Sequence, residues 1–209
     1  MIELYNYHRS SASFRVRIAL NLKSIEYKDI SVHLVNNGGE QHTAEYVKLN
    51  PHQLVPVLKD GDKIITQSLA IIEYLNEVYP SPALLPDDSF NKAKVRAFSL
   101  SIAADLHPLN NLRVLQYLTK NLNLSEDQKN DWYSHWIHKE LSALEADVAA
   151  NNHDYCFGNT PGLADIMLVP QMYNARRFSC DTSRYPTLVR IDEHCQKHDA
   201  FKKAWPNDT

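Results

Sequence analysis

The opening 34 residues restrict the fold more than any other part of the chain. Ile2–Tyr5 is an apolar run that predicts a strand. Ser11–Leu22 predicts a helix, with Phe14, Ile18, Ala19 and Leu22 at helical spacing. Tyr27–Leu34 is β-rich and partly alternating. Strand, helix and strand in that order imply a parallel pair joined by a crossover helix. A basic, hydroxyl-rich turn, Tyr7-His8-Arg9-Ser10-Ser11, delivers two adjacent serines to the start of the helix. Free backbone N–H groups and the positive dipole end favour an anion there. A thiolate is one such anion, and serine hydroxyls suit it as donors. Either serine could equally cap the helix and do nothing more.

Asn36-Asn37-Gly38-Gly39 is a turn signal, and Glu40–Leu49 follows as a weak helix or loop. In Val55-Pro56-Val57-Leu58 the proline can donate no ladder bond at the head of a strand. A turn with a cis Val55–Pro56 bond is one solution, and it would offer the Val55 backbone to a ligand. Asp60-Gly61-Asp62 predicts a hairpin into Ile64–Ile65. Gln67-Ser68 then precedes the apolar run Leu69–Leu75, with Ser68 as the expected N-cap of a second ligand-facing helix start.

Prolines 80, 82 and 86 suggest a linker. The chain after them is helical in character. Residues 91–122 are amphipathic with an expected kink at His107-Pro108. Ser125-Glu126-Asp127-Gln128 is a capping box opening a helix to Ala150. Gly162–Arg177 is apolar enough to be a buried central helix, and Tyr185-Pro186 opens what is expected to be the last one. The domains predicted are 1–80, α/β, and 86–209, all-α.

The net charge of -3 and the scattered Lys and Arg argue against nucleic acid as a partner. Cys156, Cys180 and Cys195 form no CxxC pair and suggest neither a disulfide framework nor a metal site. Without an apolar leader or a run of membrane-spanning length, the expectation is a soluble cytoplasmic protein with no membrane partner.

Ser10-Ser11-Ala12-Ser13-Phe14-Arg15-Val16-Arg17-Ile18-Ala19-Leu20 resembles the S-S-C-S-W-R-V-R-I-A-L motif of the zeta-class glutathione transferases, the maleylacetoacetate isomerase family. Gln67–Leu75 matches that class without a change, and the likeness continues through Leu84–Pro86, His107–Leu115, Leu168–Gln171 and Asn174–Phe178. The resemblance implies a thioredoxin-like first domain with a cis Val-Pro bond, a helical second domain, and a homodimer. It implies glutathione as cofactor and the cis–trans isomerisation of maleylacetoacetate to fumarylacetoacetate, in tyrosine and phenylalanine breakdown. Maleylpyruvate isomerase is the alternative, a shorter keto-diacid undergoing the same chemistry. A general glutathione transferase or binding protein with little isomerase activity is the third reading.

In the family chemistry a thiolate adds reversibly to a conjugated cis double bond and leaves after rotation. The resemblance assigns the thiolate to Ser10, with Ser11 as its partner or substitute. It assigns glutathione contacts to Gln41, Val55, Gln67, Ser68, His107, Asn111 and Arg113. Arg9, His107, Arg113 and Arg176 are the groups expected to meet the acidic substrate, because a diacid suits fork-shaped donors. For each arginine the plain alternative is a surface ion pair, and Arg15 and Arg17 are expected to be helix-surface or interdomain charges. Two departures from the family stand out. The motif cysteine is Ala12, and the capping Thr of the family's T-x-A-D box is Gly162. Gly162 is expected to cost a few tenths of a kcal/mol relative to Thr.

Overall fold

The computed structural model describes residues 1–150 and 152–206. It separates into two compact units, Met1–Ala83 with His198–Thr209, and Leu84–Lys197. The elements of the first stretch are β1 (Ile2–Asn6), α1 (Ser11–Leu22), β2 (Tyr27–Ser31), α2 (Ala44–Leu49), β3 (Val57–Asp60), β4 (Lys63–Thr66) and α3 (Ser68–Val78). Helices α4 (Ser89–Leu100), α5 (His107–Leu109), α6 (Leu112–Lys120), α7 (Glu126–Val148), α8 (Leu163–Arg177) and α9 (Pro186–Cys195) make up the second unit, and α10 (Asp199–Ala204) follows.

In the first unit the strands run β2-β1-β3-β4, with β1 and β2 parallel and the remaining pairs antiparallel. The register is reinforced by charge. Glu3 lies opposite Lys28 on one side and Lys59 on the other, and forms ion pairs with both. Gly61, at φ 60, opens the two-residue turn between β3 and β4, where a left-handed residue matches the twist of the strands. Helix α1 has only two charges in its 12 residues and is buried from Phe14 through Leu20. At the far end of α3, the Lys23 ammonium donates to Asn76 Oδ1 (3.2 Å) and to the carbonyls of Tyr79 (2.6 Å) and Pro82 (2.8 Å). A cation on these helix-terminal carbonyls satisfies acceptors that have no intrahelical donor.

The helical half differs from the sequence expectation at the chain's end. Residues 186–195 are not the last helix, because α10 follows and clusters with the first unit, not the second. The physical reason is specific pairing. Arg17 Nε donates to the Ala204 carbonyl (3.1 Å), Asn21 Nδ2 to that of Ala200 (2.9 Å), and Trp205 meets the Phe14 ring edge-on at 5.4 Å.

Within the second unit α8 is buried almost throughout, as its composition requires. The predicted kink is a wide π-type turn over Ser101–Leu106, in which the His107 N–H reaches the Ile102 carbonyl five residues back. Pro108 has no N–H to donate and its ring crowds the carbonyl four residues earlier, so the regular ladder cannot pass through it. Trp132 Nε1 and Asn110 Nδ2 then tie the break after α5 to α7, donating to the carbonyls of Leu109 (3.0 Å) and Tyr133 (3.1 Å). The Ser125 capping box forms in both halves. At α8 only the acid half exists. Asp165 accepts from the N–H of Gly162 (2.9 Å) and of Cys156 (2.8 Å), and burial still raises its pKa.

Candidate active site

The sheet register collects the predicted residues of the first unit at one end. Tyr5 is opposite Val57, and Val57 is opposite Thr66. The turn leaving β1, the Val55–Pro56 approach to β3 and the Gln67–Ser68 exit from β4 therefore lie side by side. The Val55–Pro56 bond is cis, as the resemblance implies. The Leu54 carbonyl accepts from Tyr46 Oη (2.8 Å) and Asn50 Nδ2 (2.7 Å). In the planar peptide that follows, these two bonds also fix where the Val55 N–H points.

Ser10 is the N-cap of α1, its Oγ accepting from the Ser13 N–H at 3.2 Å. Capping leaves the hydroxyl able to donate as well, since a hydroxyl that accepts through a lone pair keeps its proton. Ser11 is the first helical residue and is buried, and Ala12 is half-buried behind it. Arg9 is exposed on the turn. The turn itself is braced by Arg17, which donates to Asn6 Oδ1 (2.9 Å) and to the carbonyls of Tyr7 (3.5 Å) and His8 (3.0 Å).

Ser68 departs from expectation. The N-cap of α3 is Gln67, without a side-chain cap bond, and Ser68 is the buried first residue of the helix. Gln67 sits at φ 70, a left-handed conformation that is uncommon outside glycine and concentrates at ligand clamps. Its side chain is thereby left uncommitted as a cap and exposed. The Ser68 hydroxyl accepts from Arg15 Nη1 at 3.3 Å.

Arg15 and Arg17 are the clearest corrections. Neither is a surface charge, at 1% and 6% exposure. A signal for this was available. A helix with no acid, no lysine and apolar residues on every side has no solvent face, so its two charges must be buried. Gln41 is buried, with Nε2 donating to the Leu34 carbonyl at 3.3 Å and Oε1 without a hydrogen-bond partner among the described residues. A further group missed from sequence is the ring cluster at the same end of the sheet, where Tyr7 meets His8 (4.4 Å) and His33 (4.8 Å) edge-on.

In the second unit, His107 Nε2 is 3.4 Å from Asn111 Nδ2. Asn111 caps α6 by accepting from the Arg113 N–H (3.2 Å), and Arg113 is exposed. Arg176 is drawn elsewhere. Its Nη2 lies 2.6 Å from Asp192 Oδ2, and Asp192 is fully buried. The ion pair accounts for Arg176 without a substrate. The three cysteines are buried and in no disulfide, and burial raises each thiol's pKa, which disfavours the reactive thiolate. No metal-binding cluster occurs among the described residues.

Comparison with known proteins agrees with this geometry. Residues 1–77 match the model of the glutathione S-transferase N-terminal domain. A probable maleylacetoacetate isomerase of Vibrio cholerae is 52% identical over 98% of this chain and 95% of its own length. The holo structure of a maleylpyruvate isomerase, a bacterial zeta-class glutathione transferase, is 45% identical with a TM-score of 0.94, covering 98% of this chain and 96% of that one. A maleylacetoacetate isomerase from Methylobacterium extorquens AM1, solved with malonate and glutathione bound, is 35% identical with a TM-score of 0.93, over 98% of this chain and 96% of that one. The chain belongs to the zeta-class glutathione transferases, the family of the maleylacetoacetate and maleylpyruvate isomerases.

Proposed function

We propose that this protein is a glutathione-dependent maleylacetoacetate isomerase, converting a cis keto-diacid to its trans isomer. The observation that carries the proposal is the convergence of two helix starts and the Val55 peptide at one end of the sheet, in a chain 52% identical to a probable enzyme of that name. The donor set fits glutathione. It offers a hydroxyl at Ser10 for a thiolate, a backbone N–H at Val55 for the cysteinyl unit, and Gln67 with Ser68 at a helix start for the γ-glutamyl end. When bound, glutathione supplies the thiol nucleophile, the one chemical group the protein itself lacks there.

The protein's part is to favour the thiolate and hold the substrate. The Ser10 O–H and the open N-terminus of α1 stabilise negative charge without help from a cysteine, since the Ala12 methyl group has neither a thiol nor a hydrogen-bond donor to contribute. Ser11 is its proposed partner. Arg9, Arg113 and His107 are proposed to meet the substrate carboxylates and carbonyl, with Asn111 orienting His107 and, like Arg113, contacting glutathione, as the family resemblance implies. Arg176 is left out of the proposed set because it is engaged within the fold, while Gln41, whose buried Oε1 has no hydrogen-bond partner among the described residues, stays a proposed glutathione contact.

The proposal extends to a cytoplasmic homodimer acting in tyrosine and phenylalanine breakdown, which the family resemblance supports. Maleylpyruvate isomerase is the second reading, favoured by the 45% identity and TM-score of 0.94 to that enzyme. Ultraviolet absorbance of maleylacetone and maleylpyruvate, followed with and without glutathione, separates the two. Glutathione-dependent turnover of maleylacetone faster than maleylpyruvate is expected. The reverse order selects the second reading, and no turnover of either sinks both in favour of a binding or detoxification role.

A further inference from the structure

We infer that Arg15 is a positioning residue for the γ-glutamyl carboxylate of glutathione, acting through the Ser68 hydroxyl. The inference rests on the glutathione reading above and adds a residue to it. Arg15 is 1% exposed, yet its Nε and Nη2 have no hydrogen-bond partner among the described residues, and its one bond goes from Nη1 to Ser68 Oγ. Burial pushes its pKa down to about 10 through the loss of hydration. An isolated buried cation is among the most costly groups a fold can hold.

Arg17 shows what a structural arginine in the same helix looks like. It has four acceptors, and all of them belong to the chain. Arg15 has one acceptor, at the first residue of the 11-residue helix α3, where free N–H groups already favour negative charge. By donating to Ser68 Oγ, Arg15 occupies a lone pair and leaves the hydroxyl proton to point outward. A cation behind the hydroxyl polarises it, making it a stronger donor to an anion in front. The missing counter-charge is thus the ligand's carboxylate, reached through one side chain, and Arg15 itself stays out of contact with it.

Calorimetric titration of wild type and Arg15→Met with glutathione, and with an analogue whose glutamyl α-carboxylate is an amide, tests this. Wild type is expected to prefer glutathione by roughly 10- to 100-fold, the range for a hydrogen bond to a charged group. In Arg15→Met that preference should fall about tenfold or more, with the amide analogue bound nearly as before. An unchanged preference, or equal weakening of both ligands, would show Arg15 to be merely structural and overturn the inference. Failure of wild type to bind glutathione at all would instead sink the glutathione reading. The preference is a ratio within one protein, so partial unfolding does not alter it. Arg15→Gln keeps an N–H for Ser68 without the charge and should also lose the preference. If neither Arg15 variant folds, Ser68→Ala removes the other end of the bond, and retention of the full preference there overturns the relay.

Discussion

Two of the buried charges in this protein, Asp192 and Arg15, solve the problem of burial in opposite ways. At the α8–α9 contact Asp192 is fully buried, and Arg176, with a side chain 36% exposed, closes over it at 2.6 Å, while Gln196 Nε2 adds a second donor at 2.7 Å. At the α1–α3 contact Arg15 is as deeply buried and has only the Ser68 hydroxyl. The first charge is neutralised by the chain and belongs to stability. The second has no hydrogen bond from Nε or Nη2 among the described residues, and its Nη1 bonds the first residue of α3. The difference separates residues that hold the fold from residues that await a ligand.

If the β1–α1 end of the sheet serves a ligand, its variants should lose activity more than stability. Ser10→Ala should cut isomerase turnover by about 100-fold, as removal of a donor to developing charge does. It should cost only about 1 kcal/mol of stability, from the lost cap. Glutathione affinity should stay within a few-fold. Steady-state kinetics and thermal melts measure both, and unchanged turnover would move the role to Ser11.

The α8–α9 contact should behave in the opposite sense. Arg176→Met leaves a buried carboxylate unpaired and should destabilise the protein by about 2–3 kcal/mol, the low side of the usual range because water reaches the guanidinium. Arg15→Met removes an unpaired cation, so the unliganded protein should change by less than about 1 kcal/mol in either direction. Urea denaturation without glutathione compares them. Equal losses would erase the contrast, and an Arg176→Met variant that is stable but inactive would return Arg176 to the substrate.

A pH series sharpens the same contact. Burial raises the pKa of Asp192 despite Arg176, so the folded state holds this proton more tightly than the unfolded chain. Its contribution is therefore fully favourable below the unfolded value of about 4 and is lost as pH rises through the higher folded value. Asp192→Asn has no such proton. Its stability relative to wild type should improve as pH rises from about 4 to 7, and a difference that stays flat or runs the other way would refute the assignment.

The smallest effect is expected at Gly162. A Cβ there would meet the Leu84 carbonyl oxygen at 3.1 Å, which takes back part of what a Thr cap brings. Gly162→Thr should still exceed Gly162→Ala by about 1 kcal/mol, since both carry the Cβ and only Thr can cap. Melting of the two variants side by side checks it. A Thr variant no better than Ala means the hydroxyl does not reach the N–H groups of α8.

Much of the fold was legible because it is local. The parallel pair around α1, the β3–β4 hairpin, the capping box at Ser125 and the break before Pro108 depend on neighbours a few residues apart. Ser10 at a helix start was legible for the same reason. Other positions were read wrongly where the deciding partner is remote. Ser68 was expected to cap α3, but the left-handed Gln67 takes that place and leaves Ser68 to Arg15, 53 residues away.

By itself the sequence determined the order and type of most elements, the α/β half followed by a helical one, and the family motif around Ser10. These follow from periodicity, turn chemistry and capping, which act over one or two turns of chain. Only the tertiary structure decided what each buried charge is paired with. Arg17 is paired with a carbonyl 187 residues away, Arg176 with Asp192 on the next helix, and Arg15 with a single hydroxyl. Burying an ion costs more than any local preference can offset. Its place is therefore set by whatever counter-charge the folded chain or its ligand brings to it.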